Sequence, residues 1–427
     1  MSVGVERKTA RTPRSRARTW QDDGRAGEPE YPRRFARHPV RAFPSFRRFR
    51  FIPNRTFVAV PAPHSPSRRR FVRTLGTAAL TAPLISRSLL STPPSGVLRH
   101  ASFGASGMAW NDIQAICSNP FVRLVAVAEV DLNRLANLKA AFPDVRVYQD
   151  WRRLLDREQG NIDSVNVSTP DHMHAPIACS AMQLGKHVYC QKPLTHDLHE
   201  TRVMTRLARE KRLVTQMGIQ IHSQKPYRQA VALVRNGTIG KVREVHTWSS
   251  KKWGDLGAPP ARADAVPAGF DWDLWLGGCA PRPFVADYYH PGNWRKRLDF
   301  GTGTFGDMGC HIFDPVFEAL ALTAPLSIRS EGPAPDAWNW AVNARVRYVF
   351  PGTRFTADQT VAVTWYDGDE RPPAEVIGLI GVTERDIAAL KVSDDSFQGS
   401  IIIGTEGVLH VPHVATPKLF PVEKFQG

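Results

Sequence analysis

The chain has 427 residues, of which 42% are hydrophobic and 22% charged, so it can bury a sizeable core, and this length predicts two or three domains. The composition excludes fibrous, collagen-like and fully disordered proteins. The formal net charge of +16 would suit a nucleic-acid-binding protein, but all of the excess lies in residues 1–100, and residues 101–427 are balanced. The charge therefore gives no reason to expect a nucleic-acid partner for the folded body.

The five cysteines are odd in number and widely spaced, and no two of them form a C-x-x-C pair. This pattern argues against a disulfide framework and against a zinc site. We interpret them as isolated buried thiols: Cys117, Cys179, Cys190, Cys279 and Cys310.

The first 95 residues differ in composition from the rest. Residues 1–66 are rich in Arg and Pro and have no apolar period, which predicts a disordered basic extension or sequence upstream of the true start codon. Residues 67–95 resemble a twin-arginine export signal, with Arg68, Arg69 and Phe71 before a weakly apolar run over 75–85. That run is shorter than the roughly 20 apolar residues that span a bilayer, and no other stretch is a candidate membrane span. The pattern favours the periplasm or cell envelope; the alternative is an arginine-rich tail without a signal, on a cytoplasmic protein.

A strand, a glycine turn, a helix and a second strand follow one another from about Val97. The second strand, 124–128, is wholly apolar, as in a parallel sheet that is buried on both faces, and it ends at Glu129 and Asp131. This order predicts a dinucleotide-binding Rossmann domain over residues 96–220, although the glycine turn alone could belong to a plain strand–helix connection.

Each residue of this turn has a physical role in the prediction. Gly104 permits the tight turn, and the small residues Ser106 and Gly107, with Met108, let the backbone approach a pyrophosphate at the helix N-terminus. An acid at the end of the second strand accepts hydrogen bonds from the adenosine ribose and repels a 2′-phosphate. Glu129, with Asp131 sharing the role, therefore favours NAD over NADP.

Further strands are predicted at 145–148, 162–167 and 186–190, with helices over 151–157 and 177–184 between them. Ligands of such sheets bind beyond the carboxyl ends of the strands. The candidate cofactor residues at these ends are Thr169, Pro170, His174, Lys192 and Pro193. His172 and His174 could also suggest a metal site, but we interpret both as loop residues near the cofactor, and no metal is predicted.

In the second half, 242–248, 342–350 and 355–365 alternate apolar and polar residues, as strands with one solvated face do. Asp307 and His311 are four residues apart, so on a helix they share a face. The glycine-rich residues 299–306 are interpreted as the loop before that helix. An imidazole can take the proton of a substrate hydroxyl, and a neighbouring carboxylate can orient it, which makes Asp307 the expected partner of His311.

Three segments together resemble the Gfo/Idh/MocA oxidoreductases, from about Val97 to the C-terminus. They are 168–175 (STPDHMHA), 185–193 (GKHVYCQKP) and 307–311 (DMGCH). The resemblance implies an α/β architecture: a Rossmann domain, then an α+β domain over 221–427 with an open, mostly antiparallel sheet that often mediates dimers or tetramers. It implies catalytic roles for Lys192, Asp307 and His311.

The chain departs from the family pattern in two places. Gln191 stands where the family usually has Glu before Lys-Pro, a variant associated with exported bacterial members. The chain also stops where relatives usually continue into a further helical stretch, so we expect a C-terminally truncated form.

An aromatic-rich stretch over 272–295 has two interpretations. Its Trp and Tyr faces beside polar groups resemble a sugar-binding wall, with Tyr288, His290 and Arg295 as substrate contacts. They could equally pack the second domain around a long loop.

The predicted function is hydride transfer between nicotinamide and a carbon of a sugar, cyclitol or polyol that carries a hydroxyl. One alternative is a glycosidase that oxidises its sugar transiently with bound NAD and eliminates the aglycone. A second alternative is a non-catalytic nucleotide-binding sensor on the same fold.

Overall fold

The structure is a computed structural model that describes residues 96–383, 386 and 398–426. The predicted extension and export signal lie outside the described residues. Two sheets organise the described chain, a six-stranded one followed by a seven-stranded one.

The first sheet is parallel throughout and has the strand order β3-β2-β1-β4-β5-β6. Its strands are β1 (Leu98–Phe103), β2 (Val122–Ala128), β3 (Arg146–Tyr148), β4 (Ser164–Val167), β5 (His187–Gln191) and β6 (Thr215–Gly218). The helices between them are α1 (Met108–Cys117), α2 (Ala136–Ala141), α3 (Trp151–Glu158), α4 (His174–Gln183) and α5 (Leu198–Lys211). This is the doubly wound order of a dinucleotide-binding fold, and it confirms the predicted Rossmann domain.

The core of this domain follows from the apolar strands. In β4 all four residues are buried, and Ala101, Ala126 and Val165 of the central strands are 0% exposed. Helices cover both faces of the sheet, which is why residues 124–128 of β2 are wholly apolar. The buried polar residues Ser164 and Asn166 of β4 hydrogen-bond to His100 of β1.

The second sheet has the order β13-β12-β11-β7-β10-β9-β8, and every neighbouring pair is antiparallel except β7 with β10. Its strands are β7 (Val242–Ser249), β8 (Ser327–Ser330), β9 (Arg345–Pro351), β10 (Thr360–Asp367), β11 (Gly399–Gly404), β12 (Val408–Pro412) and β13 (Lys418–Phe420). The predicted open, mostly antiparallel sheet is confirmed.

The helices of the second domain are α6 (Lys225–Arg235), α7 (Trp272–Leu276), α8 (Gly303–Ile312), α9 (Asp314–Ala319) and α10 (Ala374–Gly378). Side chains of α6 and α9 pack with β7, β10 and β11 in the largest buried cluster of the domain. This packing fixes one face of the sheet and places α8 at the boundary with the Rossmann domain.

Several predicted boundaries are wrong. The strand predicted from 342 begins at Arg345, and the one predicted from 355 begins at Thr360 after a turn. Helix α4 begins at His174 rather than 177. Residues 303–306 belong to α8, not to the loop before it. In this first turn of the helix Gly306 packs closely on Thr302, because a Cβ at position 306 would lie 2.1 Å from Thr302 Oγ1.

Among the described residues, no helix has the length and apolar character needed to cross a bilayer. The five cysteines are unpaired thiols. Burial raises the pKa of Cys310 to about 12 and that of Cys190 well above its ordinary value, so both remain protonated.

Candidate active site

The glycine turn between β1 and α1 has two conformational requirements. Gly104 has φ +98°, and a Cβ there would lie 2.7 Å from the Ser168 carbonyl oxygen, so only glycine fits beside β4. Gly107 precedes α1 with φ 58° and ψ −124°, but a Cβ there would meet no protein atom within 4 Å. The turn therefore brings backbone N–H groups to an open space at the N-terminus of α1, where an anion can bind.

Glu129 closes the other side of this turn. Its carboxylate accepts hydrogen bonds from the backbone N–H of Ala105 at 2.9 Å and of Asp131 at 3.1 Å. Burial raises the pKa of Glu129, against the effect of these two bonds. Arg134 lies beside it and donates from Nε to Ser106 Oγ at 2.8 Å.

The Gln191 variant has a local partner. Its Nε2 donates to both oxygens of Asp112, in α1, at 3.0 and 2.9 Å, and Ser168 Oγ donates to the same carboxylate at 2.7 Å. Asp112 and Gln191 are 6% and 4% exposed. The amide therefore ties α1 to the ends of β4 and β5, where a glutamate would place a second carboxylate against Asp112.

His174 does not reach the cleft and is reassigned from cofactor contact to loop support. It is 1% exposed, and its Nδ1 and Nε2 lie 2.8 and 2.9 Å from the carbonyl oxygens of Pro193 and Thr169. The ring thus joins the loops after β4 and β5. Burial lowers the pKa of His174.

An open cleft lies beyond the carboxyl ends of β1, β2 and β4. The predicted cofactor residues that line it are Gly104, Ser106, Gly107, Met108, Glu129, Thr169 and Pro170. Three further predicted cofactor residues are not part of this lining: Asp131, Lys192 and Pro193. Residues 274–295 supply the opposite wall: Leu274, Trp275, His290, Pro291, Trp294 and Arg295.

The cleft fits a large polar ligand such as a dinucleotide. Three buried polar atoms of its lining have no hydrogen-bond partner within the described part of the chain: Trp151 Nε1, Thr169 Oγ1 and Trp275 Nε1. Buried polar groups in native proteins are nearly always hydrogen-bonded. These three, with the open turn at Gly107, are groups that a bound nucleotide would satisfy.

Lys192 and Asp307 meet across the domain boundary. Lys192 Nζ donates to Asp307 Oδ1 and to its backbone oxygen, both at 2.8 Å. Arg295 Nε donates to the same Oδ1 at 3.3 Å, and Trp253 Nε1 donates to Oδ2 at 2.8 Å. Burial alone would raise the pKa of Asp307, but Lys192 and Arg295 hold it below its ordinary value.

His311 lies one turn further along α8, but Asp307 does not orient it. The hydrogen bonds of the Asp307 carboxylate go to Lys192, Arg295 and Trp253, and the buried Nδ1 of His311 has no partner in the described part of the chain. The ring packs instead near His413, with centroids 5.4 Å apart. Burial, together with Lys192 and His413, lowers the pKa of His311 to about 3, so the imidazole is neutral at physiological pH.

Asp171 is a buried carboxyl group next to this cluster. It is 4% exposed, and Thr302, the residue before α8, donates from Oγ1 to Asp171 Oδ2 at 2.8 Å. Burial raises the pKa of Asp171 to about 7, and the nearby charge of Asp307 adds to that effect. The bond fixes the start of α8 against the loop after β4.

The three predicted substrate residues lie in different places in the structure. Tyr288 lies outside the cleft lining, with the Arg297 guanidinium carbon 3.5 Å from its ring centroid. His290 lines the cleft but faces the Rossmann domain, where its Nε2 is 3.1 Å from Asp131 Oδ2. Arg295 alone is both on the cleft and in contact with Asp307.

The structure agrees with the packing interpretation of the aromatic stretch, and the sugar-binding interpretation stays a prediction. Phe270, Trp272, Trp275, Tyr289 and Trp294 belong to one buried cluster, as packing requires. Two of them, Trp275 and Trp294, also line the cleft.

No group of three or more metal-ligating side chains occurs among the residues that the structure describes. Four residues of the site could not be identified from sequence, because isolated Trp, Arg and Thr residues have no spacing that marks them: Trp151, Trp253, Arg134 and Thr302. Asp171 could have been found, since it stands between Pro170 and His172 at a strand end.

A six-stranded parallel sheet with a glycine turn, an acid after β2 and a charged cluster from a second domain defines a two-domain nucleotide-binding oxidoreductase fold. Residues 98–219 match the model of an oxidoreductase family with an NAD-binding Rossmann fold, and residues 229–354 match that family's C-terminal α/β domain. The chain belongs to the Gfo/Idh/MocA oxidoreductase family, and the predicted cofactor, NAD, agrees with it.

Two curated relatives are similar over part of the chain. Levoglucosan dehydrogenase of Pseudarthrobacter phenanthrenivorans is 25% identical over 213 residues, which cover 49% of this chain and 46% of the relative. dTDP-3,4-didehydro-2,6-dideoxy-alpha-D-glucose 3-reductase of Streptomyces antibioticus is 32% identical over 171 residues, 39% of this chain and 51% of the relative. The chain thus matches about half the length of these relatives.

Among solved structures, the WlbA dehydrogenase of Bordetella pertussis, in complex with NADH and UDP-GlcNAcA, superposes with a TM-score of 0.52. It is 17% identical, and the match covers 75% of this chain and 79% of that one. This likeness concerns the fold alone.

Proposed function

We propose that the protein is an NAD-dependent oxidoreductase that transfers a hydride between nicotinamide and a carbon of a sugar, cyclitol or polyol that carries a hydroxyl. The observation that carries this proposal is the 2.8 Å contact of Lys192 Nζ with Asp307 Oδ1 beside the cleft. It brings an ammonium group from the Rossmann domain and a histidine-bearing helix from the second domain to one place. The names of the two curated relatives, both enzymes acting on sugars, support the substrate class.

NAD, when bound, supplies the hydride acceptor. The chain's own groups would bind and orient around it: the backbone at Gly107 and the N-terminus of α1 hold the pyrophosphate, and Glu129 accepts from the ribose. Lys192 donates a hydrogen bond to the reacting oxygen and stabilises negative charge there. His311 is neutral, so it can accept the hydroxyl proton.

The test is a panel of sugars and polyols with the purified protein, in which NADH formation is followed and reaction products are identified. We expect NADH to form with at least one compound, and the His311→Ala variant to bind NAD while losing turnover. Release of free sugar from a glycoside without net NADH would instead identify a glycosidase. Nucleotide binding with no reaction for any compound would identify a sensor.

We also propose that the protein forms a dimer or tetramer. The edge strand β8 supports this, because all four of its residues are exposed and Ile328 is 61% exposed. The unpaired backbone groups of an exposed strand edge are a surface that proteins usually cover. Light scattering should give more than one chain per particle, and Ile328→Lys should reduce that number. A monomeric wild-type protein would contradict the proposal.

The location of the protein is a separate proposal. We propose export through the twin-arginine route, supported by Arg68, Arg69 and the apolar run that follows. Residues 67–95 fused to a reporter should direct it out of the cytoplasm, and changing both arginines to lysine should stop export. A cytoplasmic reporter in both cases would contradict the proposal.

A further inference from the structure

Arg295 has binding capacity that the fold does not use. Its side chain forms hydrogen bonds with the described residues through Nε alone, which donates to Asp307 Oδ1. A guanidinium has further N–H donors in a planar fork. Because Arg295 lines the cleft and its side chain is 29% exposed, these donors are accessible to a ligand.

The guanidinium is also held rigidly. Its central carbon lies 4.3 Å from the ring centroid of Trp294 and 5.4 Å from that of Trp253. Trp253 itself donates to Asp307 Oδ2 at 2.8 Å. Two aromatic faces and one carboxylate thus fix the orientation of the fork before any ligand arrives, which reduces the entropy lost on binding.

The cluster around Arg295 carries more positive than negative charge. Lys192 and Arg295 share one carboxylate, that of Asp307, at 2.8 and 3.3 Å. The next carboxyl group, Asp171, has its pKa raised to about 7 by burial and so is only partly ionised near neutrality. His311 is neutral there. A partly buried excess cation is costly unless an anion approaches it.

Resting on the proposed function, we propose that the substrate is an acid sugar, a uronic or aldonic acid, and that the Arg295 fork binds its carboxylate. A carboxylate matches the planar fork of arginine in a bidentate pair, which lysine cannot form. The anion would balance the positive charge of Lys192 and Arg295 that Asp307 alone does not neutralise. It would also place the sugar ring beside Lys192 and His311.

The pyrophosphate of NAD is another anion that could occupy this fork. It has its own place, since the turn at Gly107 opens at the N-terminus of α1, whereas Arg295 is joined to Asp307 in α8. The two sources predict different behaviour of an Arg295 variant, so one experiment separates them.

The experiment measures equilibrium binding to NADH-loaded protein by calorimetry, so that it does not depend on turnover. Matched pairs differ in one carboxylate: D-glucuronate with D-glucose, D-galacturonate with D-galactose, and D-gluconate with D-glucitol. The variants are Arg295→Gln, Arg295→Lys and, as a control on the surface of helix α5, Arg206→Gln, whose side chain is 65% exposed.

We expect at least one acid to bind about 10- to 100-fold more tightly than its neutral partner, the range of a charged hydrogen-bonded pair. Arg295→Gln should abolish that preference, Arg295→Lys should retain part of it, and Arg206→Gln should leave it unchanged. NADH affinity should be similar in all four proteins.

Three results would overturn the proposal: no acid binds better than its neutral partner, the preference survives in Arg295→Gln, or Arg295→Gln weakens NADH as much as the acid. The last result would assign the fork to the pyrophosphate. Turnover of neutral sugars without acid binding would overturn this inference and leave the proposed function standing. Arg295-dependent acid binding without any turnover would support the carboxylate site and contradict the proposed function.

Discussion

Lys192 and Asp307, which are 115 positions apart in the sequence, form a 2.8 Å ion pair whose side chains are only 11% and 15% exposed. Lys192 follows β5 of the Rossmann domain, and Asp307 lies on α8 of the second domain. Because Trp253 and Arg295 take the remaining positions on the carboxylate, Asp307 positions the lysine rather than His311.

The protonation of His311 is the first prediction. Its folded pKa of about 3 lies below the ordinary value, so the ring stays neutral at any pH above about 4. An NMR titration should show no protonation of His311 between pH 8 and pH 5, with the signal assigned by His311→Ala. A midpoint near pH 6.5, the ordinary value for histidine, would contradict the geometry.

The lowered pKa of His311 also makes the stability of the fold depend on pH. A depressed histidine pKa means that the unfolded chain binds the proton more readily, so the His311 contribution to stability is lost as pH falls below about 6.5 towards 3. His311→Ala should therefore make unfolding less sensitive to acid, as measured by denaturant titration at several pH values.

The second prediction concerns Gln191 and Asp112. Gln191→Glu would place two buried carboxylates within hydrogen-bond distance and should lower the free energy of unfolding at neutral pH by about 3 kcal/mol. Since two such carboxylates can share a proton, the loss should shrink as pH falls.

The matched change Asp112→Asn in the Gln191→Glu protein should restore most of the stability, because a donor and an acceptor again face each other. Gln216→Glu, at an exposed position of β6, is the control and should change little. Equal stability of Gln191→Glu and wild type, measured in urea, would show that the pair is not buried together.

The third prediction is that residues 268–290 slow the release of the nucleotide. Backbone bonds join this segment to the end of β2, from Leu132 N–H to the Gly269 oxygen and from Asp271 N–H to the Val130 oxygen, both 2.9 Å. His290 adds its 3.1 Å contact with Asp131. Together these contacts close one wall of the cleft over the Rossmann domain.

His290→Ala should raise the dissociation rate of NADH about tenfold, the effect of one hydrogen bond to a charged group, as measured by stopped-flow fluorescence. The control is His222→Ala, which removes a similar 2.8 Å histidine contact with Asp314 away from the cleft. Equal dissociation rates in wild type and His290→Ala would mean that the segment does not retain the nucleotide.

The fourth prediction compares three glycines. At Gly107 the backbone is strained for any other residue, yet a Cβ would point into the open space of the turn. Gly107→Ala should weaken NADH binding about tenfold or more, while the strain costs about 1–3 kcal/mol of stability.

Gly104→Ala should be worse for folding, because its Cβ would lie 2.7 Å from the Ser168 oxygen. Gly160→Ala is the control, since Gly160 has neither a positive φ nor a neighbour within 4 Å. Fluorescence titration with NADH and thermal unfolding of the three variants check this order. A Gly107→Ala protein that binds NADH normally would move the pyrophosphate away from this turn.

The Rossmann domain could be predicted from sequence because its signals are local. The turn at Gly104, the apolar strand 124–128 and the strand-end acid Glu129 all lie within 26 consecutive residues. Parallel strands then bring their carboxyl ends to one edge, which places Thr169 and Pro170 on the cleft.

The hydrogen-bond partners of the side chains in the site could not be predicted in the same way. Spacing pairs Asp307 with His311 on one helix, but the fold offers Asp307 a lysine from another domain, which binds it more strongly than a neutral imidazole does. His174 is at a strand end, yet the backbone carbonyls of Pro193 and Thr169 occupy both ring nitrogens. His290 contacts Asp131 because the segment before it forms backbone hydrogen bonds with the residues that follow β2. These contacts depend on tertiary packing.

The most direct test of the account is single-turnover hydride transfer in Lys192→Met with NAD bound to the same occupancy as in wild type. The nucleotide in both proteins is identified by mass spectrometry, and NADH formation with an oxidisable sugar is followed in stopped flow. We predict unchanged NAD content and a hydride-transfer rate about 100- to 1000-fold lower, the loss expected on removing a donor to the reacting oxygen. A Lys192→Met protein that reduces its bound NAD at the wild-type rate would contradict the account.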